Sequence, residues 1–342
     1  MAIQFTRTLH RLELDFGEMS RLAESALYLH FPGGPKADHE LFLQNSSRWW
    51  MEFAPRRLVD TIHRWHIDPD RPGVLMIDGL GIDPDLPPTP TDGRRSPNKL
   101  TTYSEQVLVA VAGMLGQPIG FSDERNGDLV ADLTPVRGKA AALTNEGAGK
   151  LGWHIEHNAT GFLLDPPVRV VDYLVFFHLR EDPRGEARTL VSDIRDVLPL
   201  LSPSVIETLR RPEFVLRPPL QVRGSLPVER REALNVAILT GPSENPHVRA
   251  AMYGDLTAGL TDAAQAALVE LESVLDATQR QVPTTPGRLV LVDNRRVLHA
   301  RFPYQPAFDG RDRWLQRVMV TTSLEPLRHW QRDSARILSP GA

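Results

Sequence analysis

The apolar and polar positions divide the chain into short strands with a few helices packed among them. Val74-Leu75-Met76-Ile77, closed by Asp78-Gly79, reads as a strand buried on both faces, as does the nearly continuous apolar run Val170 to Leu179. Asp128 to Pro135, Arg188 to Ile194 and Leu289 to Asp293 predict further strands. Helical spacing predicts a helix over Pro55 to Trp65, with Leu58, Ile62 and Trp65 inward and His63 and His66 at the surface. A second runs from Tyr103 to Leu115, capped by Ser104, striped by Val107, Leu108, Val111 and Leu115, and ended by Gly116. Pro203 to Arg211 is a short helix. Thr261 caps a long one over Asp262 to Gln279, with Leu268, Leu271, Val274 and Leu275 as its core face.

Residues 1–53 predict a helical and loop segment, helical from Glu18 to Tyr28 and broken by Phe31 to Pro35, with Trp49, Trp50 and Phe53 packed on the body. The proline-rich stretch Pro84 to Pro97 predicts a loop long enough to help cover a site. Residues 215–255 predict an insertion or lid, with strands around Val215 to Val222 and Ala237 to Leu239. Many short strands with flanking helices predict a mainly β fold with a double-stranded β-helix (jelly-roll, cupin-like) core, in one domain spanning 1–342.

Composition excludes several classes. A net charge of -4 argues against a nucleic-acid or membrane-surface partner. There are no cysteines, hence neither a disulfide framework nor a thiolate metal site. No apolar run approaches the length of a membrane span, and the first residues lack a signal-peptide core, so a cytoplasmic monomer or homodimer acting on a small molecule is expected.

The chemistry gathers around Gly152-Trp153-His154-Ile155-Glu156, answered downstream by Asp293-Asn294-Arg295-Arg296-Val297-Leu298-His299. Two imidazoles and one carboxylate make the ligand set of a non-haem Fe(II) oxygenase, which leaves three metal positions open for a chelating co-substrate and dioxygen. His154 and Glu156 share one face of an extended segment, while His157 points to the other. Arg313, 14 positions after His299, enters the next apolar strand. Its guanidinium can pair bidentately with the distal carboxylate of 2-oxoglutarate.

The strings D-N-R-R-x-x-H-x-R and D-G-x-D-R-W-L-x-R resemble the clavaminate synthase-like family of Fe(II)/2-oxoglutarate oxygenases, relatives of the arginine, asparagine and lysine hydroxylases of antibiotic pathways. Leu86-Pro87-Pro88-Thr89-Pro90, Leu115 to Gly120 and Gly241-Pro242 with Asn245-Pro246 and Arg249 agree with it, over roughly residues 55–325. The resemblance implies the same fold, with His154, Glu156 and His299 as catalytic iron ligands. It implies that Arg313, Thr189 and Arg317 bind the co-substrate, Arg317 alternatively reaching the substrate carboxylate. It implies substrate contacts from Thr144, where relatives place a serine, and from Glu124 and Arg125, near a glutamine of relatives. The expected reaction is hydroxylation of an unactivated C–H bond, with 2-oxoglutarate converted to succinate. Desaturation or epoxidation would use the same residues. A taurine dioxygenase-like sulfonate or carboxylate oxygenase is the nearest rival, opposed by the glutamate ligand and the D-R-W-L-x-R string.

Relatives that bind basic amino acids carry an acid just after the motif arginine, where this chain has Ala250-Ala251. A buried guanidinium or ammonium there would lack a counter-charge. The expected substrate is therefore neutral or capped, such as a small peptide or diketopiperazine.

Overall fold

The structure is a computed structural model and describes residues 7–26, 31, 34–139, 142, 144, 146–218, 223–224, 226–331 and 334–340. Alternating side chains build two sheets that share a core. The larger has eight strands. Across it run Leu9–Glu13, Val74–Asp78, Leu289–Asp293, Tyr173–Arg180, Trp314–Thr321, Gln117–Phe121 and Ile337–Leu338, with Ala131–Leu133 also paired to Trp314–Thr321. The smaller runs Arg280–Val282, Thr189–Asp193, Val297–Arg301, Leu151–His154.

Period two sorts each strand between two environments. Val74, Met76, Leu174, Val290 and Val292 of the larger sheet meet Val191, Val282 and Val297 of the smaller. The intervening Leu75, Ile77, Val175, Phe177, Leu289 and Leu291 face outward, into a core with the helices His39–Phe53, Arg56–Ile67 and Tyr103–Leu115. Trp153, Leu190 and Leu298 on the outer face of the smaller sheet pack with Leu209 of the helix Pro203–Arg210 and Leu268, Leu271 and Leu275 of the helix Asp262–Thr278. The apolar runs are continuous because both faces of these strands are covered.

The differences from expectation have local causes. The N-terminal segment holds a strand, Leu9–Glu13, parallel to Val74–Asp78. It lies at the sheet edge, where His10, Arg11 and Glu13 keep solvent and blur the apolar pattern. The first helix is Phe16–Ala26, and its expected continuation to Tyr28 lies outside the described residues. Trp49 and Trp50 are buried, but Phe53, at its helix end, is 43% exposed. The strand expected from Asp128 to Pro135 is only Ala131–Leu133, and that expected from Val170 starts at Tyr173, where pairing begins. In the 215–255 region the strands are Phe214–Leu216, Ala233–Val236, Leu239–Thr240 and His247–Val248, while 219–222 lie outside the described residues. Among the described residues no helix is long and apolar enough to cross a membrane.

Ser104 does not cap its helix. Thr102 holds the N-cap position without a side-chain bond to a helix N–H, and Asp83 reaches in from a loop to accept the N–H groups of Tyr103 at 3.0 Å and Ser104 at 3.2 Å. Asp83 also pairs with Lys99 at 2.7 Å, and Lys99 with Glu105 at 2.6 Å. A helix covered on nearly every side draws its cap from the tertiary structure, and the same carboxylate neutralises a buried ammonium.

Candidate active site

His154 ends the strand Leu151–His154 and lies directly opposite His299 in the antiparallel ladder. Cross-strand partners hold their Cβ atoms about 5 Å apart, so pairing alone brings the imidazoles together. Their ring centroids are 4.1 Å apart. Glu156 falls just beyond the strand, at a turn where His157 has φ 52°. The extended H-x-E segment expected from sequence thus ends at His154, and a clamp from the other motif holds Glu156. Asn294 Oδ1 accepts the Glu156 N–H at 2.9 Å, while its Nδ2 donates to Glu156 O at 3.1 Å and Val171 O at 2.9 Å. His154, Glu156 and His299 each offer a ligand atom, all within 4.8 Å of one another.

Local electrostatics keep this set in ligating form. His154 Nδ1 lies 2.8 Å from Gly152 O, which makes Nδ1 the donor and leaves the Nε2 lone pair for the site. Burial, then the neighbouring His299, push His154 down to about 3, so it stays neutral. Burial works against the Glu156 charge, yet Arg317 and the two histidines hold its carboxyl well below the usual range. Arg317 donates to Glu156 and, at 3.2 Å, to Glu124. Glu124 also lies 3.2 Å from His157, which stacks on Phe121 and is turned away from the ligand set.

Between the sheets a cavity is lined by the three ligands, Thr189, Phe176, His178, Arg313 and Arg317. Arg313, Leu315 and Arg317 face it at period two, while Trp314 and Gln316 face the other way. Arg313 is buried, and its Nη2 donates to Thr189 Oγ1 at 3.3 Å. Among the described residues its Nε has no partner and it makes no ion pair. A buried guanidinium without a carboxylate is costly, and it fits a co-substrate that brings one. Two histidines, His154 held neutral, an ionised glutamate and this cation together fit an iron site served by a dicarboxylate.

The sequence candidates divide. His154, Glu156, His299, Thr189, Arg313 and Arg317 line one cavity, and Glu124 joins them through Arg317. Thr144 and Arg125 lie outside its lining. Thr144 Oγ1 accepts the Glu146 N–H at 3.2 Å, and its carbonyl accepts from Arg301 at 3.2 Å. Arg125 donates to Gly93 O at 3.1 Å. Sequence reasoning passed over Asn294, named only within the motif string, and His178, whose imidazole is kept neutral by burial and by Arg313. It also passed over Tyr253, whose ring meets His154 edge-on at 5.2 Å. Ala251 bridges to His154, and the Met252 N–H donates to Trp153 O at 2.6 Å, fixing this stretch against the ligand strand. Only a pairing of residues 250–252 with 153–155 could have revealed it, and no local pattern encodes that.

Residues 71–319 match the family described as Taurine catabolism dioxygenase TauD, TfdA family. The chain is 33% identical over 316 residues to an L-asparagine oxygenase of Streptomyces coelicolor, covering 92% of this chain and 90% of that one. Clavaminate synthase 2 of Streptomyces clavuligerus is 28% identical over 302 residues, 87% of this chain and 88% of that one. A solved asparagine oxygenase in complex with Fe(II), 2S,3S-3-hydroxyasparagine and succinate superposes with a TM-score of 0.84 at 32% identity, covering 96% of this chain and 99% of that one. The non-heme iron oxygenase OrfP with Fe and alpha-ketoglutaric acid gives a TM-score of 0.81 at 29% identity, covering 96% and 100%. The chain belongs to the TauD/TfdA dioxygenases, within their clavaminate synthase-like branch of Fe(II)/2-oxoglutarate-dependent oxygenases.

Proposed function

We propose that the protein hydroxylates an unactivated C–H of a neutral or capped amino acid, or of a small molecule derived from one, in bacterial specialised metabolism, on a double-stranded β-helix scaffold. The observation that carries this reading is one cavity shared by the His154–Glu156–His299 cluster and the unpaired, buried Arg313.

In this reading His154, Glu156 and His299 would hold the iron, which supplies the redox chemistry that couples dioxygen and 2-oxoglutarate to C–H oxidation. Arg313 takes the distal carboxylate of 2-oxoglutarate, oriented by Thr189. Arg317 keeps Glu156 charged, and with Glu124 it presents one cation and one anion to the two ends of an amino-acid backbone. Arg125 and Thr144 support the surrounding loops instead of touching substrate. Tyr253 flanks the substrate side chain, its hydroxyl kept neutral by burial and then by Glu156 and Glu124. Ala250 and Ala251, just before it in the chain, bring no carboxylate for a basic side chain. The asparagine oxygenase relative acts on a neutral amino acid, which agrees. Residues 215–255 end on the ligand strand, which supports their role as the lid.

The test is succinate release from iron-loaded protein given 2-oxoglutarate and oxygen, against neutral, basic and N-capped amino acids and cyclic dipeptides, with mass spectrometry on each. A product one oxygen heavier from a neutral or capped substrate is expected. A product two hydrogens lighter would replace hydroxylation by desaturation, and turnover confined to basic amino acids would overturn the substrate reading. His154→Ala should lose both iron and turnover; substrate-dependent succinate formation in that variant would sink the ligand assignment.

A further inference from the structure

A second cavity, of about 430 Å³, lies behind the metal site. It is lined by Gln316, whereas Leu315 and Arg317 of the same strand line the first, so one strand separates the two. Its volume falls in the range of pockets for small ligands, about 300–1,000 Å³. The floor is Asp132, Gln316 and Glu105, at most 3% exposed. Arg94 and Lys36 stand exposed at the mouth, Lys36 3.0 Å from Asp128.

The floor is unevenly matched. Glu105 is paired with Lys99 at 2.6 Å and with Arg95 at 3.1 Å. Asp132 makes no ion pair among the described residues, and Lys99 acts on it only from a distance. Its two donors, Trp314 Nε1 at 2.6 Å and Gln316 Nε2 at 3.1 Å, both go to Oδ1. Gln316 Oε1, fully buried, has no partner among the described residues. Burial, then the charge of Glu105, push the Asp132 carboxyl up to about 6. A buried amide oxygen with no donor and a buried carboxylate with no ion pair are both expensive unless a ligand supplies N–H groups. At the mouth, the Arg94 guanidinium makes no ion pair among the described residues.

We infer that this cavity is a second small-molecule site, for a ligand with a guanidinium or ammonium head and a carboxylate tail, as in a basic amino acid. The head sits on Asp132, beside Gln316, and the tail meets Arg94 and Lys36. The inference is independent of the substrate of the first cavity.

Calorimetric titration of the full chain tests it, with saturating 2-oxoglutarate and without oxygen. The probes are L-arginine and agmatine, which keeps the guanidinium but lacks the carboxylate. Both should bind saturably at millimolar concentration or below. Asp132→Asn should weaken both about tenfold, the effect of one charged hydrogen bond. Arg94→Ala should weaken L-arginine about two- to fivefold, the effect of an exposed ion pair, and leave agmatine unchanged. The Arg94 contrast between the probes needs only an exposed substitution, so it decides even if Asp132→Asn fails to fold. No saturable heat from either probe, or wild-type binding of both by both variants, would overturn the inference.

Discussion

Replacing Arg313 by methionine separates the two things a buried arginine does. In the protein alone its guanidinium is buried with only Thr189 and Tyr304 as neighbours to bond and no ion pair among the described residues. Removing it lifts an uncompensated desolvation cost, and methionine keeps much of the volume, so the folded protein should lose little stability or gain some. Binding of 2-oxoglutarate should suffer instead. A bidentate carboxylate pair is two charge-assisted hydrogen bonds, each worth about 1.5–3 kcal/mol, or about 3–6 kcal/mol together. At about 1.4 kcal/mol per decade the apparent affinity for 2-oxoglutarate should fall about 10²- to 10⁴-fold. Thermal unfolding reads both halves at once. At a hundredfold excess over its dissociation constant, 2-oxoglutarate should stabilise the wild type by about 2.7 kcal/mol, several degrees in Tm. The variant should show an unchanged or higher Tm without ligand and no shift at the same concentration, while succinate assays give a raised KM for 2-oxoglutarate. A KM within threefold of wild type, with the ligand-induced shift preserved, would refute the assignment of Arg313.

Tyr253→Ala should raise the substrate KM about three- to tenfold, the value of one aromatic contact, and leave the KM for 2-oxoglutarate alone; equal changes in both would place the ring outside the substrate pocket. Asp83→Ala removes the cap of the Tyr103–Leu115 helix and one of two anions around Lys99, so urea unfolding should show a loss of about 3 kcal/mol; a loss under 1 kcal/mol would remove Asp83 from that role. With its carboxyl raised from 3.8 to about 6, folded Asp132 keeps a proton that the unfolded chain has released, so this group's contribution to stability falls as pH rises from about 4 to 6. Asp132→Asn should therefore gain on the wild type across that window, by roughly 2–3 kcal/mol in urea unfolding, and a difference constant with pH would contradict it.

What could be read from the sequence was what is encoded locally or by motif. The buried strands announce themselves by unbroken apolar runs, and Thr261 bonds Ala264 N–H at 3.1 Å as its position before the helix implied. The two ligand-bearing motifs, with Arg313, stood out by spacing and residue type. What escaped depends on contacts between distant segments. Asp83 caps a helix that begins 20 residues later, and the edge strand Leu9–Glu13 is a strand because Val74–Asp78 pairs with it. Asn294 holds Glu156 across 138 residues, so its role appears only once both turns are placed. Tyr253 reaches His154 through a bridge between segments about 100 residues apart in a stretch with no apolar rhythm. Thr144 and Arg125 show the converse: proximity in sequence to site residues left both outside the cavity lining.

The strand Trp314–Thr321 divides two chambers, with arginines on one side and a tryptophan and an amide on the other. This makes its reading frame, in the sense of odd and even positions, a functional quantity. Loss or gain of a single residue inside the strand would swap the faces beyond it. Loss of Leu315 would turn Arg317 toward the helix layer and bring Val318 into contact with Glu156. A change of one residue in the preceding turn, Pro303 to Arg311, can be absorbed by the exposed chain before Asp312 anchors the strand through the Ala307 and Phe308 N–H groups. Length variation in this part of the chain is therefore tolerable in the turn and forbidden in the strand, where even a substitution of similar size must respect parity.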